Sequence, residues 1–162
     1  MRADTTAVRP LKALQRALRQ SESATSSTKR NRALENRHFL LVEEISVRPP
    51  HCRELLEKAG AEVLLERHAM TGVVVALSMP ERFDALILDL KLPLLEIAEA
   101  GIALRSAGFD RPIIALVSAL PGKARRSLEH AGCNIIPKNS AIASAFVSLV
   151  AGFIHPAPAA LY

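Results

Sequence analysis

The sequence predicts an α/β protein with a doubly wound sheet of five parallel strands, and three observations support this prediction. After the first 37 residues, short apolar runs alternate with stretches of helical spacing, as they do in βαβ units. The run over residues 85–88 is apolar throughout, which is typical of a central strand covered on both faces. Glycines follow three of the helical stretches, at Gly60, Gly108 and Gly132.

The same pattern predicts each element in order along the chain. Strands are predicted over residues 39–42, 62–65, 85–88, 112–117 and 134–136. Helices are predicted over residues 50–59, 71–79, 94–107, 121–131 and 140–153, the last with Ser140 as its N-cap. Because strands and helices alternate strictly, every connection is a crossover, and the carboxyl ends of all strands meet at one edge of the sheet.

A basic N-terminal arm precedes this pattern. Residues 1–37 carry nine Lys and Arg against three acidic residues, a net charge of +6, whereas residues 38–162 carry twelve against thirteen, a net charge of −1. Within the arm, Leu11, Leu14 and Leu18 form one apolar stripe on a predicted helix, and a Ser-rich linker follows. The predicted organisation is an arm and linker over residues 1–37, one domain over residues 38–154 and a tail over residues 155–162.

Composition argues against several classes of function. No apolar run approaches the roughly 20 residues of a membrane span, and the start of the chain lacks the apolar core of a secretory signal, so a cytoplasmic protein is expected. Aromatic residues make up 4% of the chain and the domain is nearly neutral, which argues against nucleic-acid binding. Cys52 and Cys133 have no Cys or His at metal-ligand spacing, and we interpret them as small buried thiols.

Polar residues stand at the ends of four of the five predicted strands. These residues are Glu43, Glu44, Asp89, Ser118 and Lys138. In a doubly wound sheet the functional crevice lies outside the carboxyl ends of the strands, so we expect these side chains to converge there.

The converging residues have the chemistry of a phosphoryl-transfer site. Three carboxylates at one edge repel one another and require a cation, and oxygen ligands with few protein donors favour Mg²⁺. Asp89 ends the most buried strand and is the candidate nucleophile for forming an acyl phosphate. Lys138 would offset the charge of a phosphoryl group, and Ser118 would donate a hydrogen bond to it. Taken singly, each residue also fits a solvated strand end, a helix cap or a plain surface position.

Four segments together resemble the receiver domain of bacterial response regulators, over residues 38–154. They are LLVEE with its acidic pair, DALILDLKLP with the acceptor and a proline, RPIIALVSA with its hydroxyl, and AGCNIIPK with its lysine. The resemblance implies a flavodoxin-like receiver fold, phosphorylation of Asp89, and roles for Ser118 and Lys138 as the signalling hydroxyl and the phosphate-pairing lysine. It also implies Mg²⁺ ligation by Glu43, Glu44, Asp89 and the backbone carbonyl of Lys91, with Pro93 shaping the following loop.

The sequence departs from that family at several positions. The acidic pair is two glutamates, where at least one aspartate is usual, and Ile135 stands where many receivers have a signalling aromatic residue. Asn139 replaces the proline whose cis peptide usually follows the lysine. Because a non-proline cis bond costs roughly 2.5–4 kcal/mol, we expect a trans bond and a displaced loop there. Leu120 occupies a position that is often polar.

By this resemblance the chain is a stand-alone response regulator, a signalling domain capable at most of its own phosphorylation and hydrolysis. It would accept phosphate from a histidine kinase or phosphotransfer protein and signal to a downstream protein partner through residues 121–153. The apolar C-terminal helix predicts a contact with that partner or a homodimer.

Other hypotheses remain open from the sequence. The departures favour a degenerate receiver that acts as an interaction or adaptor module without phosphorylation. A receiver that is part of a hybrid kinase fits the same residues. A flavodoxin-like protein of other chemistry fits poorly, because EEISVRPP after the first strand contains no glycine to cradle a phosphate.

Overall fold

The computed structural model describes residues 32–43, 52–89, 94–138 and 145–155. The chain divides into two units, Met1–Arg32 and Ala33–Tyr162, and every described residue except Arg32 belongs to the second. The predicted leucine stripe of the arm and most of the predicted tail lie outside the described residues.

Five strands form one parallel sheet in the described part of the chain. In chain order they are β1 His38–Glu43, β2 Glu62–Glu66, β3 Ala85–Asp89, β4 Ile113–Val117 and β5 Cys133–Pro137. Their order across the sheet is β2-β1-β3-β4-β5, and every neighbouring pair is parallel. The doubly wound five-stranded sheet predicted from the sequence is confirmed.

Helices alternate with these strands. They are α1 Cys52–Lys58, α2 Ala69–Ser78, α3 Leu94–Ser106, α4 Gly122–His130 and α5 Phe146–Ile154. Gly60, Gly108 and Gly132 follow α1, α3 and α4 with φ of 95°, 89° and 72°, the left-handed conformation in which glycine commonly ends a helix. A short 3-10 helix, Pro80–Arg82, lies before β3 and was not predicted.

The helix α5 begins later than the sequence suggested. It starts at Phe146 and is preceded by Ala145, so the prediction that Ser140 caps this helix is wrong. Phe146 and Val150, one turn apart, are its buried residues. Ser140 itself lies outside the described residues.

The core has two layers, one on each face of the sheet. Every residue of β3 and β4 is buried, because these strands are covered on both faces, as the uninterrupted apolar sequence of residues 85–88 predicted for β3. One apolar layer packs between the sheet and helices α2, α3 and α4, and includes Leu86 and Leu104. The other packs under α1 and α5, and includes Phe39 and Leu56. Both faces of the central strands are thus closed to water, and their ends are left for polar chemistry.

A buried residue before β1 also belongs to this core. Leu34 is fully buried, its backbone N–H donates to the carbonyl of Ala59 at 3.0 Å, and its side chain packs in the layer under α1. At the same edge, Asp84 accepts hydrogen bonds from the guanidinium of Arg37 at 3.0 Å and from the backbone N–H of His38 at 2.8 Å. These contacts tie the amino ends of β1 and β3 together.

Helix α2 carries an exposed apolar face. Met70, Val74 and Leu77 are 74%, 58% and 37% exposed, and they follow one another at helical spacing. The helix contains no charged residue. No helix in the described part of the chain is long and apolar enough to span a membrane.

Helix α5, by contrast, packs most of its apolar residues in or against the core. Phe146 and Val150 are buried, and four further residues pack against the same core layer: Val147, Ala151, Phe153 and Ile154. Leu149 is 38% exposed. A homodimer through this helix therefore stays a prediction, with less exposed apolar surface to support it than the sequence suggested.

Replacing Gly72 by alanine should destabilise the fold. Gly72 is buried in α2, and a Cβ there would collide with Cγ2 of Val42, which is fully buried in β1. Overpacking of this kind costs about 1–3 kcal/mol, more than the roughly 1 kcal/mol that alanine gains over glycine within a helix. We expect a lower free energy of unfolding in urea denaturation.

Gly152→Ala is the matched control for this substitution. Gly152 lies within α5, and nothing lies within 4 Å of a Cβ placed there. It should be neutral or stabilise the protein by up to about 1 kcal/mol. If Gly72→Ala were as stable as Gly152→Ala, the close approach of α2 to β1 would be wrong.

Candidate functional site

Two buried carboxylates lie side by side at the carboxyl edge of the sheet. Glu43 ends β1, Asp89 ends β3, and the two residues are register partners on neighbouring strands. Their exposed fractions are 5% and 6%, and they are the buried charged residues of the described part of the chain. Burying two like charges together is costly in free energy unless a cation compensates them.

Lys138 supplies a positive charge to this pair. It follows the edge strand β5, and its Nζ lies 2.6 Å from Oδ1 of Asp89. Its backbone N–H donates to the carbonyl of Val117 at 2.6 Å, so its main chain is fixed to the end of β4. The long side chain therefore crosses the end of β4 to reach β3, and the structure brings Asp89 and Lys138 together as the sequence predicted.

Cys52 is a member of the site that the sequence did not reveal. It is the first residue of α1, it is 5% exposed, and its Sγ lies 3.6 Å from Oδ2 of Asp89. The prediction of a small buried thiol agrees with its burial but missed this contact. The available signal was its place in the connection after β1, because such connections leave from the carboxyl edge.

The surroundings of Cys52 keep its thiol protonated. Burial, followed by the negative charges of Asp89 and Glu43, raises the pKa of the Cys52 thiol to about 12, against a smaller lowering effect of Lys138. Burial also raises the pKa of the Cys133 thiol. At neutral pH the sulfur of Cys52 is therefore a weak hydrogen-bond donor to the carboxylate and a poor nucleophile.

Of the remaining predicted site residues, the structure describes only Ser118. Ser118 directly follows β4 and is exposed, and it makes no hydrogen bond to Asp89 or Lys138. Glu44, Lys91, Pro93 and Asn139 lie outside the described residues, so the predicted trans bond after Lys138 stays a prediction. Within the described ranges, no three His, Cys, Asp or Glu side chains are grouped to hold a metal ion. Of the four predicted Mg²⁺ ligands, the structure describes two, Glu43 and Asp89.

The fold and this edge can be compared with known proteins. No protein-family model matches the sequence, and no curated protein matches it. Solved structures do match. The receiver domain of the sensor histidine kinase PA1611 from Pseudomonas aeruginosa PAO1 has a TM-score of 0.58 at 26% identity, over 73% of this chain and 97% of that one.

Two further structures show the same similarity. A response regulator protein from Burkholderia multivorans has a TM-score of 0.57 at 25% identity, over 75% of this chain and 98% of that one. The receiver domain of the histidine kinase CKI1 from Arabidopsis thaliana has a TM-score of 0.61 at 20% identity, over 74% of this chain and 95% of that one. The chain has the fold of a divergent receiver domain. The resemblance noted in the sequence is confirmed, and the PA1611 and CKI1 receiver structures contain magnesium.

Two of the positions at which the sequence departs from the receiver family contribute to the core. Ile135, in β5, and Leu120, after β4, are both partly buried and pack against the apolar layer under α2, α3 and α4. The aromatic residue expected at position 135 is thus replaced by an aliphatic side chain that contributes to the core.

The raised pKa of Cys52 predicts slow alkylation. A thiol with a pKa of about 12 in place of 9.0 carries roughly a thousandfold less thiolate near pH 8. Native protein treated with iodoacetamide should therefore be labelled at Cys52 far more slowly than unfolded protein, and the rate should still be rising with pH above 10. Peptide mass spectrometry after timed quenching measures both rates. Equal rates in native buffer and in urea would contradict the buried position.

A double-mutant cycle should detect the contact between Lys138 and Asp89. Lys138→Met leaves Asp89 beside Glu43 without its ammonium partner, and we expect a loss of roughly 1–3 kcal/mol in the free energy of unfolding. In an Asp89→Asn background the same substitution should cost less, with a coupling energy of roughly 1–2 kcal/mol. Lys123→Met, at an exposed position of α4, is the control and should change little. A coupling energy near zero would mean that the ion pair is not formed in solution.

Proposed function

We propose that the domain over residues 38–154 accepts a phosphoryl group on Asp89 and signals through protein contacts. The observation that carries this proposal is the buried carboxylate of Asp89, which ends the central strand β3 with Glu43 beside it and Lys138 2.6 Å away. The receiver-domain fold supports it as well. The donor would be a phosphohistidine of a histidine kinase or phosphotransfer protein, which places the reaction in the cytoplasm.

The transfer requires positioning and charge compensation more than covalent assistance. An oxygen of Asp89 forms a bond to phosphorus, and the bond between phosphorus and the donor nitrogen breaks with its electron pair leaving to the imidazole. Lys138 lies where its ammonium can pass from the carboxylate to a phosphoryl oxygen with a small movement of its side chain. Ser118, exposed after β4, would donate a hydrogen bond to the phosphoryl group.

The described residues fit a role for Mg²⁺. Glu43 and Asp89 present carboxylate oxygens at one register position, and such hard donors suit an ion that keeps several waters. Glu44 and the carbonyl of Lys91 are the other proposed ligands. Bound there, Mg²⁺ would neutralise charge on the carboxylates and the incoming phosphoryl group. The longer side chain of Glu43, compared with an aspartate, favours weaker binding of the ion.

A second candidate is a receiver that acts as an adaptor without phosphorylation. The observation that favours it is the engagement of both oxygens of Asp89, by Lys138 and by Cys52. In that case the partner would be bound through a surface such as the exposed face of α2 or the region of α4, β5 and α5. The proposed homodimer through α5 is compatible with either candidate.

Incubation with acetyl phosphate should add one phosphoryl group to the chain of residues 1–162. We expect the intact mass to show this increment only in the presence of Mg²⁺, and Asp89→Asn to abolish it because the nucleophilic oxygen is lost. Asp110→Asn is the matched control: Asp110 is an exposed aspartate outside the site, and its substitution should leave the increment unchanged. A mass increment that survives Asp89→Asn would exclude Asp89 as the acceptor. No increment at any Mg²⁺ concentration would favour the adaptor.

A further inference from the structure

The two oxygens of Asp89 have partners of very different strength. Oδ1 accepts from the ammonium of Lys138 at 2.6 Å, a charge-assisted contact. Oδ2 accepts from the thiol of Cys52 at 3.6 Å, and a thiol is a weak donor. Oδ2 is therefore the oxygen that can be released at the lower cost in free energy.

The two partners of the Asp89 carboxylate, Cys52 and Lys138, lie in different parts of the fold. Cys52 stands at the start of α1, and its side chain packs in the same core layer as Phe39 and Leu56. Lys138 follows β5 and is fixed through its backbone to Val117. The Asp89 carboxylate cannot turn about its Cβ–Cγ bond without losing at least one of these two contacts.

We propose that Cys52 is a positioning residue for phosphoryl transfer to Asp89, whose thiol orients the attacking oxygen Oδ2. This inference rests on the proposed function. The thiol holds one lone pair of Oδ2, which fixes the plane of the carboxylate and leaves the other lone pair to face the donor.

The chemical step leaves the thiol unchanged. Oδ2 forms the new bond to phosphorus, the phosphoryl group loses its bond to the donor, and the donor atom takes that electron pair. Cys52 keeps its proton throughout, in accordance with the raised pKa of its thiol. Its contribution is to the orientation of Oδ2, which is fixed before the new bond forms. Lys138 remains the principal cation of the site.

Two substitutions separate positioning from packing. Cys52→Ala removes the donor, and Cys52→Ser keeps a donor of similar size. With acetyl phosphate and saturating Mg²⁺, we expect the Cys52→Ala chain to be phosphorylated roughly three- to tenfold more slowly, as the loss of one modest hydrogen bond implies. Cys52→Ser should recover most of the rate, and the Kd for Mg²⁺ should be unchanged in both variants.

Two results of the rate measurements would contradict the inference. A Cys52→Ala chain that reacts at the wild-type rate or faster would overturn the inference, because the thiol would then be irrelevant or obstructive. Equal slowing of Cys52→Ala and Cys52→Ser would overturn it too, since both would point to packing alone. Thermal unfolding of each variant shows whether it is folded. If Cys52→Ala is not folded, Cys52→Val serves as the variant without a donor, and the same slowing with an unchanged Mg²⁺ affinity is expected.

The hydrogen bond itself can be observed without phosphorylation. The infrared S–H stretching band of Cys52, assigned by its loss in Cys52→Ala, should lie below that of Cys133 and should move upward in Asp89→Asn. An unshifted band would overturn the inference whatever the kinetics show. A shifted band in a chain that takes up no phosphoryl group would refute the proposed function, and the positioning role with it, while showing that the thiol contact exists.

Discussion

The burial of two neighbouring carboxylates is the constraint on which the rest of this site depends. Glu43 and Asp89 are adjacent because β1 and β3 are parallel and in register, and both are closed to water by the two core layers. Such an arrangement is stable only with compensating charge. Lys138 provides part of it through a 2.6 Å contact, so the sequence after the edge strand β5 is linked to the centre of the sheet.

The same constraint explains why the surroundings of Asp89 differ in character on its two sides. On one side lies Lys138, whose side chain is partly exposed, and on the other lies the buried thiol of Cys52, which packs in the core. Burial, together with the charges of the two carboxylates, raises the pKa of that thiol and keeps it protonated. The proposed acceptor Asp89 thus lies among a glutamate, a lysine and a buried thiol.

The apolar surface of the domain is distributed differently from what the sequence suggested. Nearly all residues of the C-terminal helix are apolar, which in the sequence suggests an interface. In the structure most of them pack in or against the core. Helix α2 is less conspicuous in the sequence, yet it leaves Met70, Val74 and Leu77 exposed. The apolar content of a helix does not show which of its side chains are exposed. Their exposure depends on which face of the helix packs against the sheet.

By itself the sequence determined the order and type of the elements and the sheet they form. Uninterrupted apolar runs specify β3 and β4, glycines with positive φ end three helices, and strict alternation leaves a parallel sheet whose carboxyl ends carry Asp89 and Lys138. Only the tertiary structure decided that Cys52 meets Asp89, that α5 begins at Phe146, and that Gly72 lies against Val42. Local patterns report which face of an element is apolar, whereas these contacts depend on how far each helix slides and turns on the sheet, and that is set by packing between residues distant in the chain.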